Sequence, residues 1–441
     1  MEFRILQSVE RTLRPIRICL TVLAAGLCWP TGPVAAGVHG SAYAAKGRCG
    51  PFARVSAPTP GWACVGIVAG PAQGLKMPRA ILALADGTLL ITDMAGWTAT
   101  GKGRVLRLAV GKGGRPRIST LLSGLDLPHG IAMGPDGRVY VGEQGRIIRF
   151  DPANPKGTRE TVLKGLPTTQ GYKAKGKKHL HPLTQFVFDR EGGLIVNLGA
   201  ATDRCEQRRG RKVSFPFPCP ADSPKTKEAA LWRLGFDWPK GTPGAFEPLA
   251  RGLRNSLALA VHPVSGLILQ GENNIDRWAA KLEEERPPEE LNVIEPGLHY
   301  GWPYCTGPNK ALPSYRGRVR CAGYAQPEAL MPAHAAPFSM AYYRGPMFPE
   351  LKGKLVVAMH GWKRNGQRLA AYRTDADGRP KAPAARPGGW PGYPMLIIGR
   401  WHAIKGVRPK GRPGGLAIAR DGAIWFVDYE TKTVMVVLRR R

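Results

Sequence analysis

Several motifs that assign common chemistries are missing from this 441-residue chain. No CxxC or CxxCH sequence occurs, so the usual spacing of a zinc site or of covalently attached haem is absent. No Gly-x-Gly-x-x-Gly lies between a strand and a helix, which argues against a dinucleotide-binding fold. No nucleophile elbow or Ser-His-Asp arrangement is evident, which argues against a serine hydrolase. Helical periodicity is scarce, whereas Gly (56) and Pro (41) are abundant, and this balance favours many short strands.

Acidic residues are also scarce. The chain has 32 Asp and Glu against 64 Lys and Arg, which gives a net charge of +32. Two interpretations stay open: association with an anionic surface of the cell envelope, or a solvated basic surface without a partner. No nucleic-acid-binding motif accompanies the charge, so we expect no nucleic-acid partner.

An apolar run lies near the N-terminus. Arginines at 11, 14 and 17 precede an apolar stretch at 18–28, and a small-residue A-x-A sequence follows at 42–44. This is the layout of a secretory signal peptide, and the stretch is short for a transmembrane helix. We therefore predict a signal peptide at residues 1–44 and a periplasmic or secreted protein. A retained N-terminal anchor is the alternative.

The cysteines agree with export. Six of them follow the predicted signal peptide, and they fall into three couples that are close in sequence: Cys49 and Cys64, Cys205 and Cys219, Cys305 and Cys321. Couples of this kind are typical of disulfides that clip loops in an oxidising compartment. The sequence leaves other pairings open. We expect local disulfides.

One pattern recurs six times: an apolar run, a turn such as Asp-Gly, and a second apolar run. Each copy predicts two β-strands around a tight turn, because Asp-Gly and its relatives supply the positive φ angles that hairpins need. The copies are ILALADGTLLITD from Ile81, IAMGPDGRVYVGE from Ile131, FVFDREGGLIVNL from Phe186, LALAVHPVSGLILQGE from Leu257, MFPELKGKLVVAMH from Met347 and LAIARDGAIWFVD from Leu416.

Six hairpin units that each bury one face poorly must stack or close into a ring. We predict an all-β fold, a six-bladed β-propeller with long inter-strand loops, formed by residues 45–441 as a single domain. A segment at 61–70 could close the ring with the last blade. Two segments are interpreted as insertions, 203–227 and 277–320, and long loops of this kind often carry binding and catalytic groups.

A polar side chain stands at or just ahead of the first strand of each hairpin. In a propeller these positions point to one rim of the ring, so cations and imidazoles would converge on one end of the central channel. Such a site suits a flat, polar, anionic ligand. The six side chains are Arg79, His129, His181, Arg254, His334 and Arg412.

Three local constellations suggest chemistry. His181, at a strand mouth, can act as a general base because its unperturbed pKa is close to neutral. Arg254 and Asn255 together offer a cation and an amide to an anionic or carbonyl-rich ligand. The segment from Glu272 to Asp276 is rich in oxygen ligands that suit Ca²⁺. Two alternatives stay open: a metal-dependent propeller lactonase or hydrolase that uses Glu272 and Asp276, and a non-catalytic binding propeller.

Three segments carry a family resemblance: GLRNSLALAVHP, ENNID with PEELNVIEPGLHYGWPYC, and HAAPFSMAYYRG with FPELKGKLVVAMHG. Together and in this order they resemble the soluble PQQ-dependent sugar dehydrogenases, the glucose/sorbosone dehydrogenase family, and more closely its sorbosone-type branch. The resemblance spans residues 75–440. It implies a six-bladed propeller that binds pyrroloquinoline quinone (PQQ) and Ca²⁺, oxidises a sugar at its anomeric or aldehyde carbon, and passes electrons to an external acceptor.

The resemblance also implies catalytic roles. By position, His181 looks like the general base that removes the substrate hydroxyl proton, and Arg254 looks like the residue that polarises the quinone carbonyl. The residue before the base is Leu180, where the glucose-oxidising branch carries a carboxylate that orients the base. The chain therefore departs from that branch at the residue directly before His181, the predicted general base.

Binding roles follow in the same way. Asn255 corresponds to a cofactor-binding neighbour of the arginine, His334 to a cofactor contact, and Arg412 to an arginine that pairs with a cofactor carboxylate. Main-chain carbonyls at Asn274 and Ile275 would meet the Ca²⁺, which would act as a Lewis acid on the quinone carbonyl.

Overall fold

The computed structural model describes residues 45–174, 179–278, 283–386, 389, 391–399 and 411–440. The signal peptide predicted for residues 1–44 lies outside the described residues. Within them, no helix has both the length and the apolar character needed to cross a membrane.

In the described residues, five antiparallel sheets of four strands and one of six strands form the six blades of a β-propeller, as the repeats predict. In blades I to III the strands are β4 (Pro78–Ala83), β5 (Leu89–Asp93), β6 (Gly103–Val110) and β7 (Pro116–Leu125); β8 (Ile131–Met133), β9 (Val139–Glu143), β10 (Arg146–Phe150) and β11 (Glu160–Lys164); and β12 (Gln185–Phe188), β13 (Leu194–Leu198), β16 (Ala230–Asp237) and β17 (Thr242–Arg251).

In blades IV to VI the strands are β18 (Ala258–Val261), β19 (Ile268–Glu272), β20 (Glu289–Val293) and β23 (Ala329–Met331); β24 (Pro337–Tyr342), β25 (Leu355–Met359), β26 (Arg368–Tyr372) and β27 (Met395–Ile398); and β28 (Pro413–Ile418), β29 (Ile424–Asp428) and β30 (Thr433–Arg439).

Blade VI takes its fourth strand from the beginning of the described chain. Strand β3 (Ala63–Ala69) pairs antiparallel with β30, and β2 (Phe52–Val55) and β1 (Ala45–Cys49) extend that sheet outward. The expected closing strand at 61–70 is therefore present. It joins the N-terminal and C-terminal parts of the ring by main-chain hydrogen bonds.

The first strands of the blades line the propeller axis. Each contacts the first strand of the next blade, from β4 through β8, β12, β18, β24 and β28 and back to β4. Successive side chains of the second strands point to opposite neighbours. In β5, Leu90 packs towards Val141 of blade II, while Leu89 and Ile91 pack towards Val434 of blade VI. Both faces are buried, which explains why the second strands begin with apolar residues.

Short elements decorate the loops. Two small hairpins, β14 (Gln207–Arg209) with β15 (Lys212–Ser214) and β21 (Cys305–Thr306) with β22 (Lys310–Ala311), lie within blades III and IV. The described helices are α1 (Thr169–Ala174) and single 3₁₀ turns at Pro71–Gln73, Lys112–Gly114, Pro220–Asp222, Pro313–Tyr315, Cys321–Gly323 and Pro349–Leu351. The three disulfides join the cysteines in the expected local couples.

Two predictions about segments are wrong. The first half of the repeat from Met347 is a 3₁₀ turn, and β24 at 337–342 takes the place of the missing strand. Pro349 lacks the N–H group that a β-ladder needs, so this apolar segment does not form the predicted strand. The segment 277–320 is not wholly an insertion, because Glu289–Val293 is the third strand of blade IV.

Candidate active site

A cavity of about 210 Å³ opens where the first strands of the blades begin. Five of the six side chains that precede the hairpins line it: Arg79, His181, Arg254, His334 and Arg412. The sixth, His129, is absent from the lining and is buried beside Phe338, with its Nδ1 3.2 Å from Gln185 Oε1. The loops thus gather residues from five blades at one end of the ring.

Two further sequence-predicted residues also line the cavity, and one does not. Asn255 and Asn274 are in the lining. The side chain of Ile275 instead packs in a buried cluster with Trp278 and the cysteines of two disulfides. Only the main chain of Ile275 is therefore available for the role that the resemblance implies.

His181 is held by the main chain. Its Nδ1 lies 2.5 Å from the carbonyl oxygen of Ala200, so in the neutral tautomer Nδ1–H donates and Nε2 is an acceptor. Burial, and next the charge of Arg254, lower the pKa of His181 well below 6.5. Ala200 N in turn donates to Arg254 O at 2.7 Å, which ties the loop of the imidazole to that of the arginine.

Glycine at 199 is required by this packing. A Cβ at this position would lie 2.6 Å from His181 Cβ and 3.3 Å from Asn255 Oδ1. The strand end of β13 therefore passes between the imidazole and the amide without a side chain of its own. Gly199 sets how closely these two groups approach.

One side of the cavity is lined by Arg254, Asp276 and Glu289, and Asp203 and Glu272 contact Arg254 from outside the lining; we call these five residues the Arg254 wall. Arg254 is 3% exposed, and its Nη2 lies 2.9 Å from Asp203 Oδ1 and 3.3 Å from Asp276 Oδ2. Burial opposes its charge, but the carboxylates outweigh burial and raise the pKa of Arg254. Burial also raises the pKa of Asp203.

The two glutamates of the Arg254 wall are buried deeply. Glu272 Oε1 accepts hydrogen bonds from the main-chain N–H groups of Arg254 (2.7 Å) and Asn255 (3.2 Å). Glu289 accepts from the main-chain N–H groups of Asn274 (2.6 Å) and Ala336 (3.0 Å). Desolvation raises the pKa of each glutamate to about 8. These carboxyls fix the loop main chain that presents the cavity side chains.

The two asparagines differ in what they leave free. The side-chain oxygen of Asn255 is buried without a hydrogen-bond partner among the described residues. Asn274, in contrast, is bound up locally, because its Nδ2 contacts Glu290, Thr306 and the carbonyl of Pro288. Asn255 therefore offers a free group to a ligand, and Asn274 serves to shape the loop.

The opposite side, which we call the Arg79 wall, consists of Arg79, His360, Arg412, Tyr429 and Phe338. Arg79 is 1% exposed, and its guanidinium carbon lies 4.3 Å from the ring centre of Tyr429 and 4.6 Å from that of Phe338. Its Nε and Nη1 are buried without a hydrogen-bond partner in the described parts of the chain. Desolvation lowers the pKa of Arg79 to about 10.

Two other side chains of the Arg79 wall, His360 and Arg412, contact Tyr429. Its hydroxyl lies 2.8 Å from His360 Nδ1 and accepts from Arg412 Nη1 at 3.5 Å. Burial, followed by the charges of Arg79 and Arg412, lowers the pKa of His360 well below 6.5. The wall is thus positive, and its imidazole is neutral.

The cavity mouth carries apolar side chains. Trp97 and Trp362 are 52% and 54% exposed, and Leu180 is 47% exposed. His334 lies nearby with φ of 57°, and its Nε2 is 2.5 Å from the carbonyl of Glu283. The implied cofactor contact of His334 therefore competes with a main-chain partner at this nitrogen.

Several residues of the site carry no sequence pattern that would single them out. Glu289 lay in an acidic run and Asp203 at the start of a basic insertion, and neither suggested a buried partner for Arg254. Trp97 and Tyr429 follow second strands, so the pattern of polar residues ahead of each hairpin does not include them. A pattern of residues that follow the second strands, such as β5 and β29, would include both.

The carboxylates named for a metal-dependent hydrolase are not arranged around a common point. Asp276 lines the cavity and pairs with Arg254, whereas Glu272 is absent from the lining and accepts main-chain N–H groups. No group of three or more His, Cys, Asp or Glu side chains that could hold a metal occurs in the described ranges. The side-chain metal cage that this alternative needs has no support in the geometry.

Comparison with known families gives a match over part of the chain. The model described as glucose/sorbosone dehydrogenase matches residues 243–381, which include Arg254, Asn255 and His334. The match and the related proteins below support this family, and they do not distinguish a sorbosone-type branch.

Three curated relatives are similar in sequence. An uncharacterized protein of Borreliella burgdorferi is 28% identical over 80% of this chain and 84% of its own. The aldose sugar dehydrogenase YliI of Escherichia coli is 26% identical over 44% of this chain, and a pyrroloquinoline quinone-dependent sugar dehydrogenase of Hypocrea jecorina is 25% identical over 53%. Each of the last two matches spans 54% of the relative's length.

Solved structures share the fold. A carbohydrate-active enzyme of Trichoderma reesei superposes with a TM-score of 0.66 at 19% identity, over 88% of this chain and 99% of the other. The PQQ domain of a pyranose dehydrogenase from Coprinopsis cinerea gives a TM-score of 0.64 at 20% identity, over 87% and 99%. At this identity the likeness concerns the six-bladed architecture.

Proposed function

We propose that this protein is a PQQ-dependent dehydrogenase that oxidises a sugar or aldose-like substrate at its anomeric or aldehyde carbon. The observation that carries the proposal is a cavity in which buried cations with unpartnered donors face a neutral imidazole. Two of the curated relatives are named as sugar dehydrogenases, and one of them as dependent on this quinone. The sorbosone-type branch is part of the proposal.

The residues present fit a flat tricarboxylate quinone. Arg79, Arg254 and Arg412 supply positive charge from both walls, and Arg254 Nε and Asn255 Oδ1 are buried without partners among the described residues. Guanidinium groups bind carboxylates and carbonyls through paired N–H groups. We infer that Asn255, His334 and Arg412 contact the cofactor.

The chemistry that bound PQQ would supply is acceptance of a hydride. His181 acts as the general base: its Nδ1–H is fixed on Ala200 O, its Nε2 is free to take the substrate hydroxyl proton, and its lowered pKa keeps it neutral at pH 7. Arg254, held in place by Asp203 and Asp276, would offer its positive charge to the quinone when PQQ is bound.

We further propose that the main-chain carbonyls of Asn274 and Ile275 would hold a Ca²⁺, which would supply Lewis-acid chemistry to the quinone. Ca²⁺ takes about six to eight oxygen ligands, so water and cofactor oxygens would complete its shell. Desolvation raises the pKa of the neighbouring Glu289 to about 8. That carboxyl therefore serves the loop main chain in this proposal, rather than the ion.

The proposed location is the periplasm or the outside of the cell, with an external electron acceptor. The predicted signal peptide and the three disulfides support export, because disulfides persist in oxidising compartments. The surplus of basic residues would face an anionic envelope surface in this setting.

Reconstitution tests the proposal. Purified protein is incubated with PQQ and Ca²⁺, and reduction of an artificial dye is measured with a panel of sugars and aldehydes. His181→Ala should abolish dye reduction while PQQ affinity stays close to that of the parent protein. His262→Ala is the matched control, because His262 lies in the β18–β19 turn and does not line the cavity. A reconstituted protein that reduces dye with none of the substrates would exclude the dehydrogenase and favour a binding propeller.

A further inference from the structure

Arg79 is a buried cation with no carboxylate partner among the described residues. No ion pair in the described residues involves it, whereas Arg254 on the opposite wall has two. Besides burial, the groups that act on its charge are the hydroxyl of Tyr429, which hydrogen-bonds to it, and the like charge of Arg412. The internal segments outside the described residues, at 175–178, 279–282, 387–388, 390 and 400–410, contain no Asp or Glu in the sequence.

Aromatic rings stabilise the cation but leave its Nε and Nη1 donors unsatisfied. The guanidinium carbon lies over Tyr429, Phe338 and Trp97, at 4.3, 4.6 and 5.0 Å from the ring centres. Rings attract a cation through their quadrupoles, but they do not replace the acceptors that N–H groups lose on burial. Nε and Nη1 therefore remain unsatisfied at considerable cost, although the guanidinium borders the cavity.

The surroundings of Arg79 are positive. Arg412 approaches the hydroxyl of the same Tyr429, so one phenol links the two arginines. The charge of Arg79 also contributes to lowering the pKa of both His129 and His360, after burial itself. Any anion that enters the cavity is attracted to this side, since the opposite wall already carries carboxylates.

We propose that Arg79, beside Arg412, is an anion-binding subsite that takes a carboxylate of a rigid, flat ligand. Its N–H groups supply the paired donors that match carboxylate geometry. That the occupant is a carboxylate of PQQ rests on the proposed function, whereas the subsite itself does not. Arg79 is then a ligand-binding residue, and the cost of its burial is offset when the anion arrives.

Calorimetric titration with two probes tests the subsite. The probes are PQQ and benzene-1,2-dicarboxylate, a small planar dianion, and they are titrated into the parent protein, Arg79→Met and Arg344→Met. Arg344 is an exposed arginine on the β24–β25 turn, which makes it a matched control. Arg79→Met should weaken binding of both probes by at least about tenfold, because a hydrogen-bonded charge is lost, and Arg344→Met should leave both affinities unchanged.

The melting temperature of the ligand-free proteins separates binding from a structural role. Methionine fills a similar space among the rings and removes an unpaired buried charge, so Arg79→Met should melt at or above the temperature of the parent protein. A lower melting temperature with unchanged affinity for both probes would overturn the subsite. Should Arg79→Met not fold, Arg79→Lys keeps the charge without the planar fork, and unchanged affinity for the dicarboxylate would overturn the subsite equally.

The two probes also separate the subsite from the proposed function. Binding of the dicarboxylate that depends on Arg79, without binding of PQQ, supports the subsite and contradicts the quinone function. Binding of PQQ that does not depend on Arg79 supports the function and overturns the subsite.

Discussion

Each wall of the cavity contains a buried arginine, and the two differ in how their charge is compensated. Arg254 has two aspartates within 3.3 Å and buried glutamates behind its main chain. Arg79 has three aromatic rings and no ion pair in the described residues. The pKa of Arg254 is raised and that of Arg79 is lowered to about 10, although both are almost fully buried.

Arg254 is thus a preorganised cation, whereas Arg79 is a cation whose Nε and Nη1 lack acceptors in the ligand-free protein. Arg254 is fixed before any ligand arrives, which suits a group that must stabilise charge as it develops. Arg79 is kept short of acceptors, which suits a group whose partner is the ligand. Substitutions on the two walls should therefore have opposite effects on the stability of the ligand-free protein.

The largest effect is expected for Arg254→Met. It leaves the buried carboxylate of Asp203 without its cation, and breaking a buried pair in this way costs about 3 to 5 kcal/mol in the free energy of unfolding. Chemical denaturation measures the change. Asp203→Asn in the same protein should recover part of the loss; a double variant no more stable than Arg254→Met would show that Asp203 contributes nothing to the wall.

The next effect is expected for Gly199→Ala. The new Cβ would stand 2.6 Å from His181 Cβ, so the imidazole must move away from Ala200 O. A misplaced base costs about a hundredfold in kcat, which steady-state dye reduction measures. Gly61→Ala is the control, because a Cβ there meets nothing within 4 Å. Equal activity in the two variants would contradict the close packing of His181.

A smaller effect concerns pH. Burial and Arg254 depress the pKa of His181 below 6.5 in the folded protein, so the base stays neutral as pH falls and protonates only below that value. The acid limb of kcat/KM should therefore lie below pH 6.5. Replacing Arg254 with Met removes one cause and should move the limb upward in whatever activity remains. A limb above pH 6.5 in the parent protein would contradict the assignment.

The smallest effect is expected for Leu180→Asp. It adds a carboxylate beside His181, where the structure has an exposed leucine and the imidazole is held by a main-chain carbonyl. A nearby negative charge favours the imidazolium, so the acid limb should rise by roughly half to one pH unit. Leu180→Asn has a similar shape without the charge and should not shift the limb. Equal profiles for the two variants would place position 180 too far from the base.

The fold was predictable because hairpin turns and apolar strands are local features. The turns with Asp-Gly or a related sequence located five of the six hairpins. The sixth prediction, from Met347, was wrong because apolar composition cannot distinguish a strand from a proline-containing turn. The strand that begins at Glu289 was not predicted, because its first residues are charged. The carboxyl of Glu289 is buried under tertiary hydrogen bonds, which no local propensity reveals.

The site was predictable only as far as the repeat extends. Position relative to each hairpin brought His181, Arg254 and Arg412 to one cavity, since the ring places equivalent positions at equivalent heights. It failed for His129, which the structure buries beside Phe338. Partners such as Asp203 and Tyr429 depend on loop paths between blades, and those paths are set by packing that the sequence pattern does not encode.

A calorimetric titration of the parent protein with PQQ, in the presence of Ca²⁺, tests the central claim most directly. We predict saturable binding of one PQQ per chain, because the cavity holds buried cations with unpartnered donors. The absence of saturable binding would contradict a quinone site between the two walls.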